Sequence, residues 1–421
     1  MRPLSKTIPH PIRTFIRHLI LGAAIASSLS LSGCVSPIAI NRAMVAYDQS
    51  VMKAEKELLL INLLRMRDEE SPHFTITSSI AATFDFRVSG ALSGEVFHND
   101  LLGLHLGSEV AENPTATMIP VQGEEFTRRV LLPLDHSRFE FLSHQPHHLA
   151  ALLRLAVREV EPINHKTGHR LIVNSPGYRE EYIEFRRLVL HLTYLHSIHR
   201  LYIAPLVYEE EQDLPENFSL NATNLESILE RGGRFERNND GSGYVLKRIV
   251  YGRTIITNYP LASLSNQERR DLDLQTKLLK TNEIPIDIKA GHPGGNFTFR
   301  AILRLRSLYE TLRFAAKGLG PEAEFDVDPD PTTGIITQQH AAAEINPAST
   351  FQLESGEALP VDTFVSTQFK GQYYWLPNIK DTPNLSESWN RDVFAMLHTM
   401  YQLSVSEATT KASSPEIAIT K

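Results

Sequence analysis

A change of hydrophobic period at Ser71-Pro72 constrains the fold of this chain more than any other feature. Before it, Met44, Tyr47, Val51, Ala54, Leu58 and Ile61 recur at spacings of three and four, which aligns them on one helical face. Leu59, Leu60, Leu63 and Leu64 add a second apolar surface. A helix apolar on two sides is expected to sit between other elements, and Arg65 and Arg67 suit the negative end of its dipole. After the proline the period becomes two. Phe74, Ile76, Ile80, Ala82, Phe84, Phe86 and Val88 take the even positions; Thr75, Thr77, Ser79, Thr83, Asp85 and Arg87 take the odd ones. That alternation predicts a strand of about 15 residues, longer than usual. Ala91 to His98 is expected to return on it as a hairpin through Ser89-Gly90.

The first ten or so residues of this strand have neither charge nor proline, the usual protection of an open edge. Phe74, Ile76, Thr77, Ile80, Thr83, Phe84 and Phe86 are therefore expected to meet a partner. The plainer environment is the chain's own helical core. The sharper one is lipid, reachable only in an oligomer because open edges cannot be satisfied there.

Further along, helices are expected from Gly123 to Leu132, His147 to Val160, Tyr178 to His196, Asn224 to Glu230, Asn266 to Leu279, Phe299 to Gly318 and Trp389 to Leu403. Strands are expected at Leu201 to Tyr208, Tyr244 to Thr257, Ile284 to Ile288 and Phe364 to Trp375. Glu209-Glu210-Glu211-Gln212-Asp213 with Pro215 reads as a solvated linker. The resulting class is α+β: a helical core with a long β-hairpin, a mixed α/β middle section and a small C-terminal strand-helix unit. The expected divisions are 1–33, a signal peptide; 34–208, an anchored helical domain with the hairpin; and 209–319, the mixed section. They continue with 320–360, a poorly ordered linker; 361–405, the strand-helix unit; and 406–421, a disordered tail.

The N-terminus supplies the address. Arg2, Lys6, Arg13 and Arg17 precede an apolar stretch from Leu19 to Leu31 that closes on small residues. This order of charge, apolar core and cleavage site is that of a secretory signal, too short to span a bilayer. The tetrad Leu31-Ser32-Gly33-Cys34 resembles the lipobox of bacterial lipoproteins. The resemblance implies cleavage between Gly33 and Cys34, acylation of Cys34, and, with Val35 following, a place on the periplasmic face of the outer membrane. Cys34 is the single cysteine, so no internal disulfide is available. Loss of residues 1–33 removes four positive charges and no acidic residue, moving the net charge from −7 to −11. An acidic chain of this kind argues against nucleic acid as a partner. The expected partners are the bilayer, through acylated Cys34, and an envelope protein or a second copy of the chain. Leu58 to Arg67 with Pro72-His73-Phe74-Thr75, Gln122-Gly123-Glu124-Glu125-Phe126 and the aromatic run before Trp375 are similar to segments of uncharacterised proteobacterial lipoproteins. That resemblance implies no activity and no functional residue.

Chemical motifs are sparse. Of His191, His196 and His199, only the last two have chelating helical spacing, and no carboxylate accompanies them. Pro146 interrupts His144, His147 and His148, and His165 and His169 lie in a loop. Asp326, Asp328 and Asp330 begin like a calcium loop, but Pro331 and Thr337 occupy the positions that need glycine and glutamate. Gly291-His292-Pro293-Gly294-Gly295-Asn296 lacks the lysine of a phosphate loop and reads as a turn. Gly-x-Ser-x-Gly is absent, and Cys34 is committed to the anchor. No cofactor, metal or catalytic residue is assigned. The expected function is a structural, scaffold or assembly component of an envelope complex. The alternative is a tethered periplasmic hydrolase or ligand-binding protein with a site of scattered residues.

Overall fold

The computed structural model describes residues 44–93, 103–120, 123–145, 148–163, 170–214, 233–237, 244–320, 324–334, 346–378 and 385–405. Cys34 and the helix expected near Asn224 lie outside them. The fold is α+β and divides into two compact units. One comprises residues to Lys56 with Thr77–Met118; the other comprises Glu57–Ile76 with Ile119 onward.

The first unit contains the start of helix α1 (44–67) and a two-stranded sheet, β1 (Thr75–Ser93) with β2 (Gly103–Pro120). The strand expected after Pro72 is present and longer than the alternation indicated. It runs straight through Ser89-Gly90, so Ala91–Ser93 continue β1 and the returning strand is β2, not Ala91 to His98.

The larger unit is built on a seven-stranded sheet. Its strands are β3 (Val157–Pro162), β4 (Ile172–Val173), β5 (Tyr202–Asp213), β6 (Gly233–Arg237), β7 (Tyr244–Thr257), β8 (Glu283–Ile288) and β9 (Phe299–Leu305). They pair in the order β4-β3-β9-β8-β7-β5, with β6 also on β7. Only β7 and β8 run parallel. Ile284, Ile286 and Ile288 send one side of β8 into the core, where Ala301, Leu303 and Leu305 of β9 join them. The opposite side is charged: Arg304 meets Glu159 at 2.9 Å, Glu283 at 3.1 Å, and Glu161.

After α2 (Gly123–Phe126) and α3 (His136–Ser143), helices α4 (Leu149–Ala156) and α5 (Arg179–Ser197) pack against each other in the core. Every residue of α4 is buried, which explains why no amphipathic stripe is visible in its sequence. The expected helix through Val160 stops at Ala156, where Val157 begins β3. A larger correction falls on Phe299 to Gly318. Phe299–Leu305 is strand, and helix α7 (Leu308–Lys317) starts only after Ser307. Ser307 accepts from the Glu310 amide while Glu310 caps the Ser307 amide, a reciprocal cap that fixes the helix start. The run of Phe299, Ala301, Ile302, Leu303 and Leu305 is dense enough to satisfy either period. Helix α6 (Asn266–Thr276) uses the same device through Ser265 and Glu268.

The acidic run 209–213 is not a linker. It ends β5, facing basic residues of β7 in register: Glu210 opposite Arg248 and Glu211 opposite Lys247. Lys247 reaches Glu211 at 3.0 Å, and Arg234 of β6 reaches Glu209 at 2.7 Å. The segment 320–360 is likewise not a loose connection where it is described, since Glu324, Val327, Thr350 and Phe351 are buried.

At the C-terminal end, β11 (Thr363–Phe369) and β12 (Gln372–Pro377) form a hairpin completed by β10 (Glu354–Gly356). The expected single aromatic run folds back at Lys370-Gly371, both with positive φ, as a two-residue turn requires. Helix α8 (Leu385–Val405) buries Trp389, Val393, Phe394, Met396, Leu397 and Met400 in the same core as Val365, Leu376 and the sheet. Boundaries at 209, 320 and 361 therefore do not separate independent bodies.

Candidate functional site

Two features of the sequence expectation concern function: the anchor and the strand after Pro72. Gly33 and Cys34 lie outside the described residues. Ile76, Thr77, Ile80, Thr83, Phe84 and Phe86 all fall within β1, whose only sheet partner among the described strands is β2. Phe74 is a correction. It precedes the strand and is 2 % exposed, with its ring 6.0 Å from Phe126 and 5.9 Å from Tyr401. It cannot meet a partner because it is core. Its neighbours are held as firmly: the Tyr401 hydroxyl donates to the Thr75 carbonyl at 2.6 Å. Asn62 donates to the His73 carbonyl at 2.9 Å and accepts from the His73 amide at 2.8 Å. These contacts hold residues 73–75 within the larger unit.

The histidines weighed for metal binding are dispersed. His191 is fully buried, stacked 4.6 Å from Phe297, with Nδ1 3.1 Å from the Thr333 hydroxyl. Burial lowers its pKa and keeps the ring neutral. His196 and His199 are exposed, and His144 Nδ1 bonds the Glu140 carbonyl at 2.8 Å. Asp330 closes a turn by accepting from the Thr332 hydroxyl and amide, which lowers its pKa. No cluster among the described residues is arranged to hold a metal ion.

Sequence reasoning missed a buried cationic network. Arg154, Arg186 and Arg306 are each at most 5 % exposed, around one carboxylate, Glu324. Arg154 pairs with Glu324 at 3.3 Å and donates to the carbonyls of Pro347 and Ala348. Arg186 donates to the same two carbonyls and to Asn346. Arg306 donates to the carbonyls of Arg154, Leu155 and Asn174, and burial pulls its pKa down to about 9. These guanidinium groups are committed to backbone, so the network fastens the segment 346–351 and is not an open anion site.

The functional geometry missed by sequence lies at the turn between β8 and β9. A cavity of about 710 Å³ opens there, lined by Asp287, Lys289, Phe299, Arg300, Ile163 and Leu272 among others. Asp287 is 5 % exposed. Its Oδ2 accepts from the Tyr259 hydroxyl at 2.8 Å, while Oδ1 takes no hydrogen bond. Lys289 Nζ stands 3.4 Å from Oδ2, and Arg300 Nε stands 3.5 Å from Oδ1. Both cations are roughly half exposed. Burial, then the adjoining carboxylate, push the Tyr259 pKa above its ordinary value, so the phenol stays a donor. Asn258 positions the turn: it donates to the carbonyls of Lys289 and Pro293 and accepts from the Lys289 amide. The only sequence signal was the Gly291–Asn296 turn itself. A second cleft, of about 420 Å³, is lined by Arg67 and Tyr374, but Arg67 is already paired with Asp68 at 2.8 Å and stacked on Tyr374.

No described helix is long and apolar enough to cross a membrane. Comparison with family models, with curated proteins and with solved structures gave no match.

Proposed function

We propose that this chain is a lipoprotein, acylated at Cys34 and held on the periplasmic face of the outer membrane, that acts as a structural or assembly component of an envelope complex. The observation that carries the reading is the β1–β2 ribbon. Its strands have 19 and 18 residues and, among the described residues, pair only with each other. A strand of that length extends about 60 Å. A two-stranded sheet is marginal in water, and each strand leaves one edge of backbone donors and acceptors open to a further strand. The partner surface is assigned to Ile76, Thr77, Ile80, Thr83, Phe84 and Phe86; Phe74 is no longer part of it.

The test is a Thr77→Lys/Thr83→Lys double variant, which places charge on the first ten residues of β1, where there is none. Sedimentation and affinity purification should show a protein that melts like the parent yet has lost self-association or its co-purifying envelope protein. Unchanged assembly would remove the ribbon as the contact surface.

A further inference from the structure

We infer that the β1–β2 ribbon is a membrane-inserting hairpin whose edges are filled by copies of this chain, so that a ring of ribbons closes into one β-barrel across the outer membrane. The inference rests on the lipoprotein reading above and names the ribbon's partner. Residues 94–102 reach at most about 32 Å, too short to return along a strand of about 60 Å, so β1 and β2 are antiparallel. Successive positions of a strand alternate between its two faces. From Ile80 to Leu92 every even position of β1 is apolar or glycine, with Phe84 and Phe86 at the centre, while Thr83, Asp85, Arg87 and Ser89 take odd ones. In β2, Leu104, Leu106 and Val110 take even positions with Ser108 among them, His105 and Glu109 take odd ones, and Glu112 ends the series. Such alternation is the pattern of a barrel with lipid outside and water within. The length fits as well. A tilted strand crosses the hydrocarbon in about 9–11 residues, and strands of 19 and 18 residues leave several turns of the ladder outside it.

Lipid itself demands the oligomer. A lone ribbon is unstable there, because no water satisfies the backbone groups of its open edges. Among the described residues the ribbon takes no strand from the other two sheets, and it clusters apart from the unit that contains them. Copies of the chain supply strands of matching length and pattern. Repeating one contact, β1 of one copy against β2 of the next, closes a ring by rotation and removes every edge. Barrels of this kind have about eight strands or more, so about four copies or more take part. Acylation at Cys34 holds all copies at one bilayer surface, which raises their effective concentration.

The experiment reconstitutes the acylated full chain into phosphatidylethanolamine–phosphatidylglycerol bilayers and measures conductance. Thr83→Cys, Phe84→Cys, Asp85→Cys and Phe86→Cys each give a single free thiol, since the Cys34 sulfur is acylated. A charged, water-soluble methanethiosulfonate should react at 83 and 85 and reduce the conductance. The thiols introduced at 84 and 86 should be unreactive from water, and a fluorophore placed on them before reconstitution should be quenched by brominated lipid. Phe84→Lys should abolish the conductance while the larger unit melts as in the parent. Absence of conductance, or equal reaction of all four thiols with the water-soluble reagent, overturns the barrel. If self-association survives that outcome, the scaffold reading stands without the barrel; loss of membrane attachment in Cys34→Ser tests the anchor separately. Should Phe84→Lys not fold, the parity of the thiol scan still decides the matter.

Discussion

The hydroxyl of Tyr182 donates to Glu324 Oε1 at 2.7 Å, joining residues 142 apart in sequence. Through this contact α5 holds a segment that composition alone would leave as a loose connection. The Thr350 hydroxyl donates to the same oxygen at 2.7 Å, and Trp389 of α8 donates to the Thr350 carbonyl at 2.9 Å. One carboxylate thereby ties helix, connecting segment and C-terminal helix together.

Glu324→Gln should destabilise the larger unit by about 3–5 kcal/mol, because Arg154 would remain buried without its counter-charge. Arg154→Met combined with it should cost less than the sum of the two single changes, since no orphaned charge remains. Urea denaturation of the three variants measures both values.

Alkaline pH should weaken the same junction. Burial, and then the Glu324 carboxylate, raise the Tyr182 pKa from 10.0 to about 12. A group with a raised folded pKa contributes stability that is complete below its unfolded pKa and declines above it. The loss should thus begin near pH 10 and finish near pH 12, amounting to about 3 kcal/mol. Tyr182→Phe has no proton to lose. Its melting temperature should be lower at neutral pH but should fall less than the parent's across that window.

Phe74→Ala should cost about 3–5 kcal/mol, the usual loss for a buried phenylalanine, and should do so whether or not the protein is assembled. Denaturant titration of dilute protein checks this. A cost under 1 kcal/mol would return Phe74 to the partner surface.

Cys34→Ser should abolish labelling by radioactive palmitate and release the protein from outer membranes. Retention in the membrane fraction after a salt wash would show that another part of the chain holds it there.

The elements with one exposed face were legible in sequence. Helix α5, with Tyr182, Phe185, Leu188 and Leu192 inward, shows its period because solvent demands polar residues on the other side. Where both sides are covered, the period vanishes. Helix α4 is a nearly continuous apolar run whose end is set by the start of β3, whereas β9 keeps the period of two, with Phe299, Ala301, Leu303 and Leu305 opposite Arg300, Ile302 and Arg304. The candidate site was the least legible, since Asp287, Lys289 and Arg300 meet Tyr259 only when the β8–β9 turn is folded beside Asn258.

The sequence by itself determined the class of the fold, the approximate course of most helices and strands, the long strand after Pro72, and the absence of any disulfide from a chain with one cysteine. Tertiary structure decided the rest. Whether 209–213 was linker or strand depended on Lys247 and Arg248 lying opposite. Whether 320–360 was loose depended on arginines 154 and 186 having carbonyls to bind. Whether Phe74 faced outward depended on Phe126 and Tyr401. In each case a charged or aromatic side chain can be stable in water or in the interior, and only a partner distant in sequence supplies the free energy that selects one.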